Sequence, residues 1–131
     1  MTLHTLSSGS QGNCLLLSDG GTHILVDAGI STRRIKAGLA RLGLSMDDLD
    51  GILITHEHTD HISGLATLIK HHTVPLYASP GTARQLAYRL AGVEPLLRPR
   101  DPGTEFCIGS CRVTAFATSH DAAQSMDYRI D

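Results

Sequence analysis

No apolar run in the chain approaches the ~18 residues that a membrane-spanning helix needs; the longest are 14–17 and 52–54. Met1-Thr2-Leu3-His4 carries no basic stretch followed by a long apolar one, so no secretory signal is expected. With 11 Lys+Arg against 13 Asp+Glu and a net charge of -2, there is no global basic footprint for nucleic acid, and only a local patch remains open. Cysteine is scarce. Cys14, Cys107 and Cys111 lack the CxxC spacing of a zinc knuckle and read as small buried hydrophobes in a reducing compartment. A Cys107–Cys111 pair across the intervening turn is the alternative. No nucleophile elbow surrounds Ser8 or Ser10, and Gly20-Gly21 is too short for a phosphate loop. Repeats, linkers and low-complexity segments are absent as well, so the 131 residues are expected to form one modest domain.

What is present is globular in composition, 41% hydrophobic and 18% charged. A short strand over 3–6 breaks at the turn formers of 7–13. Strands over 14–17 and 23–26 follow, joined by Asp19-Gly20-Gly21 and apolar enough to be covered on both faces. Ser31 predicts an N-cap, with Ile35, Leu39 and Leu42 as the buried stripe and Gly43 as the stop. A helical turn over 46–49 and a buried strand over 52–54 come next, then a loop over 55–61 and a helix carrying Ile62, Leu65, Leu68 and Ile69 to about His72. A strand over 76–78, a helix opened by Pro80, an irregular or extended proline-rich 94–102, a hairpin of 105–108 with 112–117, and a strand over 125–130 complete the chain. Strands interleaved with helices predict an α/β arrangement in layers.

Histidine is the abundant oddity: five of the eight fall between His56 and His72. The segment His56-Glu57-His58-Thr59-Asp60-His61 leaves a buried strand and enters a helix. Histidines at i and i+2 of an extended segment point to one side of the chain, and Asp60 and His61 can face a second point nearby. Imidazole and carboxylate donors suit Zn²⁺, with Mn²⁺ or Fe as competitors, and the lack of thiolates favours a site with a position open to water. Asp60 reads as a ligand, or as the catalytic group that orients and deprotonates an attacking water. Glu57 points away from its neighbours and reads as solvated or structural. His71 and His72 read as helix end-capping, and His4 and His23 as structural.

HEHTDH matches the HxHxDH signature, and on it the chain resembles the metallo-β-lactamase-fold superfamily. Leu25-Val26-Asp27-Ala28-Gly29 fits the family's strand-end acid that supports the metal loop, with a simple turn-forming aspartate as the alternative. The opening Ser8–Asn13 together with Ser119-His120-Asp121-Ala122-Ala123 resembles the WalJ-type branch of cytoplasmic, bacterial, nuclease-like hydrolases. The resemblance implies an α/β, four-layer αββα fold, with residues 1–131 as the N-terminal portion of a single such domain. It also implies that His56, His58 and His120 hold a first metal and that Asp60 and His61 contribute to a second, giving one or two zinc ions. The family's bridging Asp and final His have no match here, so this chain is expected to be catalytically impaired by itself, and the face lacking its partner layer is expected to promote self-association. The activity implied is metal-dependent hydrolysis by an activated water, with phosphodiesters of nucleic acid as substrate. The alternatives are a small-molecule ester, thioester or cyclic phosphodiester hydrolase, and a non-catalytic metal-binding fragment. A cytoplasmic location follows from the branch, and no membrane partner is implied.

Overall fold

The computed structural model describes residues 1–9, 12–118 and 123–131. Its first three strands, β1 (Thr2–Ser7), β2 (Cys14–Asp19) and β3 (Thr22–Val26), form an antiparallel meander. Gly20 and Gly21 both take positive φ, 57° and 85°, so the two-residue turn follows the natural twist of the strands. From β3 onward the sheet becomes parallel. β4 (Gly51–Leu53), β5 (Leu76–Ala78) and β6 (Leu97–Pro99) add in chain order, with helices in the crossovers.

The first crossover is α1 (Thr32–Arg41), capped as expected by Ser31, whose Oγ accepts the Arg34 N–H at 3.2 Å. Ile35 and Leu39 are fully buried, but Leu42 ends the helix and is 37% exposed. The second crossover departs from the sequence expectation twice. Helix α2 (Thr59–Ile62) begins inside the segment expected to be loop, and α3 (Leu65–His71) is separate from it. Gly64 makes the break. Its N–H donates to Ala28 O at 2.9 Å, and a Cβ there would sit 2.0 Å from Ile30 O, so the chain is pressed onto the end of β3 and one continuous helix does not form. Helix α4 (Pro80–Arg89) starts at Pro80 behind its Ser79 cap. The proline-rich stretch contains a 3-10 turn over Glu94–Leu96 and then an extended part, β6, whose pairing into the sheet the sequence does not announce. Pro99 is tolerated there because β6 is the sheet's edge and has a neighbour on one side only.

The helices cover one face of this sheet. Leu16, Leu25, Ile52, Ile54 and Leu76 meet Ile35, Leu39, Leu65, Leu68 and Leu86 in the larger core. The opposite parity of the same strands, Leu17, Ile24 and Leu53, meets a second sheet through Ile108, Cys111 and Val113. That sheet is antiparallel, β7 (Glu105–Ile108), β8 (Cys111–Ala117) and β9 (Met126–Ile130). Helix, sheet and sheet thus supply three of the four expected layers, and among the described residues no helix lies on the outer face of the second sheet.

Two consequences of the register correct the sequence reading. Cys107 pairs with Arg112 and faces outward, whereas Cys111 pairs with Ile108 and is buried. The two thiols occupy opposite faces and stay free, so Cys107 is not a buried hydrophobe. The three-stranded sheet is also too narrow to cover β1 to β3. Leu3, Leu15, Leu17 and Val26 line one side of a groove of about 420 Å³, with Phe116, Tyr128 and Ile130 on the other. Leu15 and Val26 are therefore only half-buried, and the first strands are covered fully on one face alone.

Candidate metal centre

The histidine segment begins where β4 ends, and its shape is imposed from three directions. Asp27, at the end of the neighbouring β3, has φ of 63°, a left-handed conformation that aspartate adopts more readily than most residues. That turn aims its buried carboxylate back at the segment. Oδ1 accepts the Thr55 N–H at 2.8 Å, while Oδ2 accepts the Thr55 hydroxyl at 2.8 Å and His61 Nδ1–H at 2.6 Å. The turn-forming and supporting roles weighed for Asp27 are thus the same role.

This brace sets two ring tautomers. A carboxylate only accepts, so Thr55 gives its single hydroxyl proton to Asp27 and must accept from His56 Nδ1, 2.9 Å away. His61 likewise uses Nδ1 as donor. Nε2 is then the lone-pair atom of both neutral rings. Burial lowers the His61 imidazolium's stability, but the hydrogen bond and charge of Asp27, with the charge of Asp60, outweigh it and raise the pKa.

The second direction is the 12–13 turn. Asn13 N–H donates to Asp60 O at 2.7 Å, and its amide nitrogen lies 3.3 Å from Asp60 Oδ2 and 3.4 Å from His61 Nε2. Asn13 holds the aspartate's backbone and head group together. The sequence reading passed over it, because within a run of turn formers nothing marks which residue reaches another loop. The third direction is below the segment. Glu57 is 5% exposed; its Oε1 accepts the Ala123 N–H at 2.8 Å, and Arg89 donates to its carbonyl at 2.9 Å. Burial raises its carboxyl pKa, but the Ala123 and Glu57 N–H groups, His58 and Arg89 outweigh that and lower it, so Glu57 is ionised. The expected solvated alternative for Glu57 is excluded, and the structural one is what is seen.

With the support fixed, His56, His58 and His61 gather on the other side. The His56 ring centroid lies 4.8 Å from that of His58, nearly perpendicular, and 3.8 Å from that of His61. Asp60 Oδ2 is 3.3 Å from His61 Nε2. Donors sharing one tetrahedral zinc at ~2.0–2.1 Å lie roughly 3.3 Å apart, so the spacing of this pair is compatible with a shared ion. Among the described residues no three His, Cys, Asp or Glu side chains are yet grouped to hold an ion. His120 lies outside the described residues. Cys14, buried beside this brace, is no nucleophile: burial first, then the Asp27 charge, pushes its thiol up to about 12.

Comparisons with known proteins agree with this architecture. The family model described as the metallo-beta-lactamase superfamily matches residues 8–120. An exodeoxyribonuclease YycJ from Bacillus anthracis is 36% identical over 98% of this chain and 50% of its own length. An exodeoxyribonuclease WalJ from Streptococcus pneumoniae is 37% identical over 95% of this chain and 47% of its own. Among solved structures, the Rm3 metallo-beta-lactamase superposes with a TM-score of 0.79 at 27% identity, over 98% of this chain and 53% of that one. The chain spans about half the length of the curated relatives it matches. No helix among the described residues is long and apolar enough to cross a membrane. On the family match and on the shared fold, the chain belongs to the metallo-beta-lactamase superfamily.

Proposed function

We propose that the chain carries the metal-binding loop of a metal-dependent hydrolase that cleaves phosphodiesters of nucleic acid. The observation that carries this reading is the brace: one buried aspartate holds Thr55 and His61 Nδ1, Thr55 Oγ1 lies 2.9 Å from His56 Nδ1, and Asp60 Oδ2 stands 3.3 Å from His61 Nε2. His56 and His58, with His120, are the proposed ligands of a first ion, and Asp60 and His61 contribute to a second. Zinc is the proposed ion, with manganese or iron as alternatives, because the donors are imidazole and carboxylate. When bound, such an ion makes water acidic enough to furnish hydroxide near neutral pH and neutralises charge developing on the scissile group.

The chain's own residues do the rest. Asp27 and Thr55 hold the rings at Nδ1, and Asn13 holds the Asp60 carboxylate at one edge of the site. Asp60 is also the proposed acceptor of a proton from an attacking water. Nucleic acid as the substrate class rests on the exodeoxyribonuclease relatives, and a cytoplasmic site of action goes with it.

Metal analysis tests the ligand set. After dialysis, the protein should retain zinc, and His56→Ala, His58→Ala and His120→Ala should each lose most of it; unchanged zinc content in any one removes that residue from the set. An assay of DNA beside small esters, thioesters and cyclic phosphodiesters tests the substrate class, with preferential cleavage of a small substrate favouring the small-molecule reading.

The apolar groove beside β9 also supports self-association. An antiparallel pairing of β9 with its copy, centred on Tyr128, would set Asp127 against Arg129 on both sides of the axis. Sedimentation should show a dimer whose dissociation releases dye-binding apolar surface. A monomer that melts cooperatively and binds no dye would remove this part of the reading.

A further inference from the structure

The HEHTDH segment alternates sides, and attention falls naturally on the side with the imidazoles. The other side belongs to Glu57, whose surroundings are built with equal care. Its Oε1 accepts the Ala123 N–H at 2.8 Å, and its Oε2 lies 3.4 Å from Thr82 Oγ1. Thr82 is fully buried in the first turn of α4, and its hydroxyl is shared with Gln124 O at 3.2 Å. Ser79 Oγ donates to the same carbonyl, and Gly81 N–H donates to Gln124 Oε1 at 2.7 Å. The segment 123–125 is thus fastened to α4 by backbone and side chain together. On entering β9 it is fastened again, through Met126 N–H to Thr55 O at 2.9 Å. Arg89, from the last turn of α4, holds the Glu57 carbonyl. Both carboxylate oxygens of Glu57 and its carbonyl thus have partners, two on α4 and one on the segment leading into β9.

We infer that Glu57 is a positioning residue for the metal loop: clamped between α4 and the segment leading into β9, it turns the residues on either side of it, His56 and His58, toward the metal side. Period-two geometry makes the coupling direct. In an extended segment, fixing the middle side chain on one side fixes its two neighbours on the other. The contacts that aim this side chain are hydrogen bonds to a backbone N–H and a hydroxyl; the nearby Arg89 charge acts on the carboxylate without setting its direction. The inference rests on the proposed ligand role of His56 and His58.

The experiment is a zinc titration against a chromophoric chelator, run well below the melting midpoint of every variant. Glu57→Ala should weaken zinc binding about 10- to 100-fold, the range found when a group supporting a metal ligand is lost. Glu57→Gln keeps an oxygen for the Ala123 N–H and should stay within about threefold of the parent, a rescue that a charge-based role would not give. In the His58→Ala background, Glu57→Ala should cost clearly less than in the parent, because one of the two rings it orients is gone. Equal fold-losses in both backgrounds, or a Glu57→Ala protein that melts lower yet binds zinc as the parent does, would overturn the inference and leave the ligand assignment standing. Parent-like binding by His58→Ala would instead remove the ligand reading, and this inference with it. If Glu57→Ala does not fold, Thr82→Val carries the comparison: it deletes one hydroxyl, with an expected loss of about fivefold for one hydrogen bond, and parent-like binding by that variant overturns the proposal.

Discussion

Replacing Gly29 by alanine is expected to destabilise the protein by more than about 3 kcal/mol, beyond the ordinary cost of overpacking. The backbone of Gly29 is not in the left-handed region, so alanine suits the local conformation. The obstruction is steric. A Cβ at residue 29 would sit 1.8 Å from Asp60 O, 2.5 Å from its carbonyl carbon and 2.7 Å from Asn13 N. All three are backbone atoms, and none can rotate aside. They also belong to a lattice in which Gly29 N–H donates to Asn13 O, Asn13 N–H to Asp60 O, and Ala28 N–H to His61 O, each within 2.8 Å. Relief of the clash must therefore displace the Asp60–His61 turn itself. Gly43→Ala is the control. It has positive φ, 75°, with nothing within 4 Å of the added carbon, and should cost only about 1 kcal/mol. Urea unfolding of the two variants checks the contrast, and similar losses would show that the close approach at Gly29 is not tight in solution.

Asp27→Ala should have the second largest effect, about 3 kcal/mol or more of stability together with a 10- to 100-fold loss of zinc affinity. The substitution leaves the Thr55 N–H, the Thr55 hydroxyl and His61 Nδ1–H without the acceptor they share. It also frees both ring tautomers, since Thr55 then has no reason to direct its proton away from His56. Asp27→Asn separates the parts. Asparagine tolerates a φ of 63° and keeps one carbonyl oxygen, but its amide NH₂ meets a donor on the other side. It should fall between parent and alanine in stability while losing nearly as much metal affinity as alanine. An Asp27→Asn protein that binds zinc as the parent does would show that tautomer control is not what the aspartate supplies.

These two residues also show what the sequence could and could not reveal. Asp27 was readable as a support because a strand-end acid beside a histidine cluster needs a partner if buried; the left-handed turn that aims it was readable only as an alternative. Both proved to be one arrangement. The ligand-type residues of the loop stood out because their chemistry is written in their side chains, and alternation placed His56 and His58 on one side. For Glu57 alternation gives the side and leaves solvated and structural roles open, of which the structure shows the structural one. Alternation says where a side chain points, not that Ala123, far along the chain, will be waiting there. Asn13 failed for the same reason. β6 was legible as irregular or extended chain but not as a paired strand, because local propensity counts its prolines against a sheet that an edge position permits. The single helix expected over 62–72 was divided by a glycine whose reason lies in contact with Ile30, across space.

The first sheet's strands lie side by side in the order in which the chain is made. Each strand pairs with the one synthesised just before it, across a short turn within β1–β3 and across one helical crossover thereafter, so pairing can follow elongation step by step. The network around Asn13, Asp27, Thr55 and Asp60 is complete once the chain has reached Gly64. The fastening of Glu57 must wait for Ala123. A nascent chain therefore assembles the histidine loop from one side first and locks its other side only after β7 and β8 have been made. Early metal capture, before that lock closes, would meet a loop half supported and free to turn.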